Sequence, residues 1–371
     1  MDTKVLRQKV LDLAIRGKLV PQDPNDEPAS VLLERIRQQK QQMVKDGKLK
    51  AKDIKNDTII FVSEDNLHYE KFADGSVKCI EDEIPFELPD GWAWSRLGAV
   101  AEAIGDGDHQ PPPQTSFGVP FLVISNVSGG RLSFENTRFV SKEYFSQLPE
   151  TRKPRNGDLL FTVTGSYGIP VLIDSDDKFC FQRHIAIVRP CTISNRYLYV
   201  ILGSSYVKSI CDAKATGTAQ KTVGLATLRE LLIPVAPYKE QMQIYAQTQD
   251  ALSIVDSVSS DKEDLLNIIE SAKTKILDLA IRGQLVPQDP TDEPASVLLE
   301  RIRAEKEELI KQGKIKRDKK ESVIFRGEDN SYYLKTGELV ESLEDWDFEE
   351  LPGGWSVCCL GELCDYGNCT N

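Results

Sequence analysis

Residues Lys9 to Arg37 read KVLDLAIRGKLVPQDPNDEPASVLLERIR, and Lys275 to Arg303 repeat them 266 residues later with 26 of 29 positions identical. Both copies run on into a basic tail, a Tyr-containing segment and a Leu-Pro-x-Gly-Trp junction. That junction is Leu88, Pro89, Gly91 and Trp92 in the first copy, and Leu351, Pro352, Gly354 and Trp355 in the second. Solenoid units stack directly at a period of about 20 to 50 residues. Copies this far apart instead bracket something. The chain therefore divides into 1–83, the first copy; 84–238, a separate globular unit; 239–349, a long helix with the second copy; and 350–371, the opening of a second globular unit that has barely begun.

Outward from the repeat, Leu6, Val10 and Leu13 form an apolar stripe at helical spacing that stops at Gly17, a residue suited to a helix C-terminus. The stripe before the second copy is longer. Val258, Leu265, Ile269, Ala272, Ile276 and Leu279 keep the rhythm of a helix with one packing seam, and predict a helix from about Lys239 to Ile281. Such a helix either packs along its own domain or serves as a coiled-coil spacer with a partner helix. The proline-rich GKLVPQDPNDEP cannot be helical, and Asp26 with Pro28 reads as a cap and first-turn proline. A second helix is expected over Ala29 to Asp46, with Leu32, Leu33, Ile36 and Met43 inward and Gly47 at its end. The basic KLKAKDIK and GKIKRDKK then read as solvated linkers.

From Pro85 the composition turns to Gly, Pro and β-branched residues. Strands are expected at Phe121 to Val127, Asp158 to Gly165, Ile169 to Ile173 and His184 to Pro190, each bounded by turn residues. A helix from about Asn195 to Lys214 follows, then a polar glycine loop, a short helix and a last strand. The fold class is α+β, a mixed sheet with helices attached to long helical segments.

Bulk properties narrow the function. With 40% hydrophobic residues the chain can build a core, it has no apolar run long enough for a membrane span, and MDTKVLRQKV is not a signal peptide. A cytoplasmic location without membrane contact is expected. The net charge is -12, but Ile84 to Glu240 holds 16 Lys and Arg against 15 Asp and Glu, so the acidity lies in the flanks and a basic face on the middle unit is allowed. Cys79, Cys180, Cys191 and Cys211 read as buried thiols. Cys358, Cys359, Cys364 and Cys369 crowd the C-terminus without metal-ligand spacing, and no metal site is expected.

The motifs of catalysis are missing. No G-x-x-x-x-G-K-[ST] phosphate loop, no glycine-rich cofactor loop after a strand and no Asn-Pro-Pro-aromatic methyltransferase motif occurs. None of His68, His109 and His184 has an acid or nucleophile at a recognisable spacing. Polar loops remain. GDGDHQPPPQTSFG carries His109, Gln110, Gln114, Thr115 and Ser116, side chains able to bond base edges or phosphates; TRKPRNGD supplies Arg152, Lys153 and Arg155 as a phosphate clamp; and ATGTAQKT places Gly217, Thr218, Gln220 and Lys221 where backbone and side chains can approach a groove. A surface loop and a solvated cluster are the plainer readings of the same residues.

The segment GTAQKTVGLATLRELLIPVAPYKEQMQI, with GDLLFTVTGSYG, IPFELPDGWAWSRLGAV and KLVPQDPNDEPASVLLERIR, resembles the type I restriction-modification specificity subunits. The likeness covers essentially the whole chain. It implies a target recognition domain over 84–238 that reads one half of a split double-stranded DNA target, held by long conserved helices in an antiparallel coiled coil. It also implies no chemistry in this chain. Methyltransferase subunits using S-adenosylmethionine would dock on the conserved regions, and a separate restriction and translocation subunit would use ATP and Mg²⁺. One complete recognition domain departs from the family's usual two, and points to a shortened subunit or to self-association as a half-subunit. The other reading is a coiled-coil interaction module whose middle domain binds protein.

Overall fold

The computed structural model describes residues 2–110, 112–218, 220–317, 321–344 and 351–364. The chain forms two compact units, Met1–Ser260 and Asp261–Asn371. The first opens with α1 (Thr3–Ile15), α2 (Ala29–Lys45) and the strands β1 (Ile59–Val62), β2 (His68–Lys71) and β3 (Val77–Cys79). It continues through β4 (Ala93–Arg96), β5 (Ala101–Asp106), β6 (Val119–Leu122), β7 (Arg138–Val140), α3 (Lys142–Gln147), β8 (Leu159–Thr162), β9 (Pro170–Leu172), β10 (Cys180–Phe181) and β11 (Ile185–Pro190). It ends with α4 (Asn195–Leu202), α5 (Ser205–Lys214), α6 (Leu225–Glu230), β12 (Leu232–Val235) and the start of α7 (Tyr238–Ile281). The second unit holds the end of α7, α8 (Ala295–Lys311), β13 (Ser322–Arg326), β14 (Tyr332–Thr336), β15 (Leu339–Ser342) and α9 (Leu360–Leu363).

The repeat folds the same way twice. Gly17 ends α1 at φ +64°, and a Cβ there would run into Pro89 and stand 3.1 Å from Trp92 Cζ2, so glycine alone lets the Leu-Pro-x-Gly-Trp junction close on the turn. Gln22 Nε2 ties the turn by donating to Gly17 O at 2.6 Å, and Ala29 N opens α2 by donating to Gly91 O at 2.8 Å. In the second copy Gly283 has φ +64° against Pro352 and Trp355, Gln288 Nε2 donates to Gly283 O at 2.8 Å, and Ala295 N donates to Gly354 O at 2.7 Å.

The 84–238 part of the first unit is layered. Strands in the order β5-β11-β8-β9 form one antiparallel sheet, and β10-β6-β7 form another. Successive strand residues face opposite sides. Leu159, Phe161, Ala186 and Val188 therefore join the core with α4 and α1, while Leu160, Ile185 and Ile187 meet Leu122, Phe179 and Phe181 on the other face. Burial on both faces explains why these strands read as unbroken apolar runs. At the domain's neck β4 pairs with β12, so entrance and exit lie side by side. α7 leaves there and runs antiparallel to α1: Arg7 pairs with Asp256, Thr3 Oγ1 lies 3.4 Å from Ser259 Oγ, and Gln22 reaches Glu240. Ile244, Thr248, Leu252 and Val255 are the buried face of this half of α7.

Several expectations need correction. The helix expected over Asn195 to Lys214 is two, broken after Gly203, where Ser204 caps α5 by accepting from Val207 N. The strand expected from Phe121 to Val127 stops at Leu122, because the Asn126 side chain accepts from Val123 N and folds the chain into a 3-10 turn. Asp26 does not cap α2; Pro28 is the N-cap and Asp26 pairs with Lys239. Cys79 is exposed rather than buried, at the end of a strand whose three residues are all exposed. The Tyr-containing tails, for which no strand was expected, are the sheets β1-β2-β3 and β13-β14-β15, each with a stacked pair, Phe61 on Tyr69 and Phe325 on Tyr333. Lys40 is buried, pairing with Asp57 at 2.6 Å and donating to Gly98 O. Of the expected C-terminal features, Cys369 and 345–350 lie outside the described residues. No helix is long and apolar enough to cross a membrane among the described residues.

Candidate nucleic-acid interface

The antiparallel register of the main sheet gathers loops at one of its ends. Ala186 pairs with Asp106, Ile185 with Thr162, and Phe161 with Pro170, so the loop after β5, the segment before β11 and the β8–β9 turn all emerge together. The glycine loop joins them: Thr164 bridges Thr222, and Gly165 N donates to Lys221 O at 3.0 Å. A side chain on Gly165, which has φ +70°, would press on Gln220 Nε2 at 3.1 Å. On the other side Asp108 bridges Gln182, with Asp108 N donating to Phe181 O at 3.0 Å.

This brings together some of the residues singled out by sequence and separates others. His109 and Gln110 are exposed beside the sheet end, with His109 Nε2 2.8 Å from Asp106 Oδ2. Gly217, Thr218, Gln220 and Lys221 are exposed on the neighbouring loop. Gln114, Thr115 and Ser116 are exposed elsewhere on the same long loop, where Thr115 N donates to Phe139 O and Thr115 Oγ1 to Phe117 O. Each cation of the basic cluster has a carboxylate partner within the domain, at its surface for Lys153 and Arg155. Arg152 Nη1 pairs with Asp108 at 3.3 Å, and Lys153 and Arg155 each pair with Glu150 at 3.0 Å. Arg152 thereby braces the loop that carries His109. Tyr144 braces it too, its phenol pushed well up by burial and then by its hydrogen bond to Asp108.

Gln182 and Arg183, not singled out in the sequence, and His184, read there as the first residue of a strand, sit between the two loops. Arg183 is exposed, and neither it nor Lys221 makes an ion pair with any described residue. Burial, and then the neighbouring Arg183, hold the His184 pKa below the ordinary histidine value, so it stands as a neutral imidazole with one donor and one acceptor. Phe117, 81% exposed in a proline-rich loop, is the other residue the sequence reading passed over. A signal for both existed: a Gln-Arg-His triplet ahead of an apolar strand, and an aromatic with no periodic partner.

Residues 89–267 match the family described as the type I restriction modification DNA specificity domain. The chain is 31% identical to the type I restriction enzyme EcoAI specificity subunit of Escherichia coli over 98% of its own length and 63% of the relative's. To the EcoEI specificity subunit of Escherichia coli it is 29% identical over 97% of its length and 61% of that protein. The chain thus spans about three fifths of the length of these curated relatives. A crystal structure of the HsdS subunit from Thermoanaerobacter tengcongensis is 24% identical, with a TM-score of 0.41, covering 54% of this chain and 47% of that one.

Proposed function

We propose, from the premise that this chain belongs to the type I restriction-modification DNA specificity family, that it is a non-catalytic subunit whose 84–238 domain reads one half of a bipartite double-stranded DNA target. The observation that carries this is the convergence at one sheet end of the 107–110, 163–168, 182–184, 216–218 and 220–222 segments, mostly polar and partly exposed, with two exposed cations, Arg183 and Lys221, that make no ion pair among the described residues. Cations position a duplex through phosphates, whereas amides and neutral imidazoles discriminate base edges. Arg183 and Lys221 take the first role, and Gln110, Gln182, His184 and Gln220 the second. The repeat-bearing helices are the docking surface for methyltransferase subunits, with a restriction subunit joining that assembly. S-adenosylmethionine, ATP and Mg²⁺ belong to those partners, in the cytoplasm, and this chain needs no cofactor of its own. The long helix takes part in a coiled coil through Val258, Leu265, Ile269, Ala272 and Ile276, exposed on the single chain, and Leu279, half-buried there.

The test separates the roles. Lys221→Ala and Arg183→Ala are expected to weaken binding to all duplexes alike and to reduce the slope of log affinity against log salt by about 1 each. Gln220→Ala is expected to relax preference at one base pair, with a loss of about 1 to 3 kcal/mol of discrimination there. Unchanged affinity, salt slope and preference in all three variants would take this sheet end out of the interface.

A further inference from the structure

Phe117 is 81% exposed, more than any other large apolar side chain among the described residues. Its loop is nonetheless fixed. Pro112 is buried, residues 113–118 are all exposed, and the tip they form is pinned to β7: Thr115 N donates to Phe139 O at 2.9 Å, and Thr115 Oγ1 donates to Phe117 O at 2.8 Å. Gly118 closes the tip at φ +145°, where a Cβ would run into Val140 O. The fold thus holds one large ring out in water.

We propose that Phe117 is a wedge that enters a base step of the duplex met by the 84–238 domain, a role that rests on the DNA reading proposed above. What surrounds the ring favours nucleic acid. Gln114, Thr115 and Ser116 precede it, and Arg138 and Lys142, on the strand and helix beside the tip, are exposed cations that make no ion pair among the described residues. Glu143 follows Lys142, but it is held at the start of α3 by Ser141 and its own backbone. A docking patch for a protein is a contiguous apolar area larger than a few hundred Å². A lone ring among amides, hydroxyls and cations matches instead a base step, which an inserted Phe unstacks while its neighbours hold sugar and phosphate.

The small sheet sets the distance from the wedge to the reading residues. β6 and β10 run parallel, with Leu122 opposite Phe181 and its carbonyl accepting from Gln182 N, so Gln182 to His184 leave at the end of β6 away from Phe117. The five residues from Phe117 to Leu122 span about 17 Å at about 3.3 Å each. A duplex laid along this sheet advances about 3.4 Å per base pair, which puts the wedge about five base pairs from the bases that Gln182 and His184 meet. Insertion costs least at the flexible pyrimidine–purine steps TA and CA. The wedge therefore makes the domain sensitive to a step that no hydrogen bond reads.

The experiment compares the full chain with its Phe117→Ala and Phe117→Trp variants in selection from a pool of random duplexes, and then places 2-aminopurine at the preferred step of the winning duplex. Wild type is expected to enrich a short contacted sequence and, about four to six base pairs away, a TA or CA step. Phe117→Ala is expected to melt as wild type does, to keep the contacted sequence, to lose the step and to bind about ten-fold more weakly. Phe117→Trp is expected to keep both. The 2-aminopurine fluorescence should rise when wild type binds and stay level with Phe117→Ala. A contacted sequence with no preferred step, or a Phe117→Ala variant with unchanged step preference, affinity and fluorescence, overturns the wedge and leaves the DNA-reading proposal in place. So does a Phe117→Ala variant whose only loss is association with methyltransferase subunits, which would make the ring a protein contact. No enriched sequence with wild type would overturn the DNA reading and the wedge together.

Discussion

Replacing Gly107 by alanine is expected to weaken DNA binding at least ten-fold and to destabilise the recognition domain. A Cβ at Gly107 would be driven into Phe181 O, 2.6 Å from Phe181 C and 2.7 Å from Gln182 C. These are backbone atoms, held by the parallel pairing of β10 with β6, and they cannot step aside as a flexible side chain would. Overpacking of this kind costs about 1 to 3 kcal/mol, and the strain falls where the end of β5 meets the segment before β11. The methyl would pry the His109 loop from Gln182, Arg183 and His184, the two sides of the proposed reading surface. Gly105→Ala is the control: its Cβ meets Ile187 Cγ2 at an ordinary 3.9 Å, and melting and affinity should stay near wild type. Thermal melting and a duplex titration on both variants check the pair. Native affinity in Gly107→Ala would mean that the two loops need no fixed junction.

Asp158→Asn is expected to destabilise the domain by about 3 to 5 kcal/mol, the usual cost of leaving one partner of a buried ion pair alone. Arg189 is 8% exposed, and its Nε and Nη2 donate to the two Asp158 oxygens at 2.9 Å and 2.8 Å. Its remaining reach goes to Lys153 O and Glu150 O, while Asp158 also accepts from Arg155 N. The pair therefore ties β11 to the 150–158 segment from which Arg152 braces the His109 loop. An amide keeps the shape but removes the charge, so buried Arg189 loses the carboxylate it is hydrogen-bonded to. Denaturant unfolding measures the loss; a change below about 1 kcal/mol would show that solvent reaches the pair and that the segment is held by its backbone alone.

Much of this architecture is legible in the chain because it rests on local chemistry. The glycine at 17 and its twin at 283 announce the turn, the seam before Gly283 announces the long helix, and the apolar runs of β8 and β11 announce a sheet covered on both faces. What stayed hidden depends on partners far away in sequence. Nothing near Lys40 signals that Asp57 and Gly98 will bury it. The charge of Arg152, Lys153 and Arg155 is plain in the sequence, but the carboxylates they pair with, here Asp108 and Glu150, are not. Arg183 was hidden for the opposite reason, since a strand is read from its apolar part and the residues leading into it are taken as a turn. The β1-β2-β3 and β13-β14-β15 sheets escaped because most of their strand residues are exposed or only partly covered, which blurs the alternation that marks a strand.

The most direct test of the DNA-reading claim is selection from a pool of random duplexes by the purified full chain, alone and with methyltransferase subunits, in the presence of S-adenosylmethionine, ATP and Mg²⁺. The expected result is enrichment of one short sequence, with the DNA from the single-chain arm recovered neither methylated nor cut, and loss of that enrichment in Gly107→Ala. No enrichment in either arm, or modification of the DNA by the single chain, would contradict it.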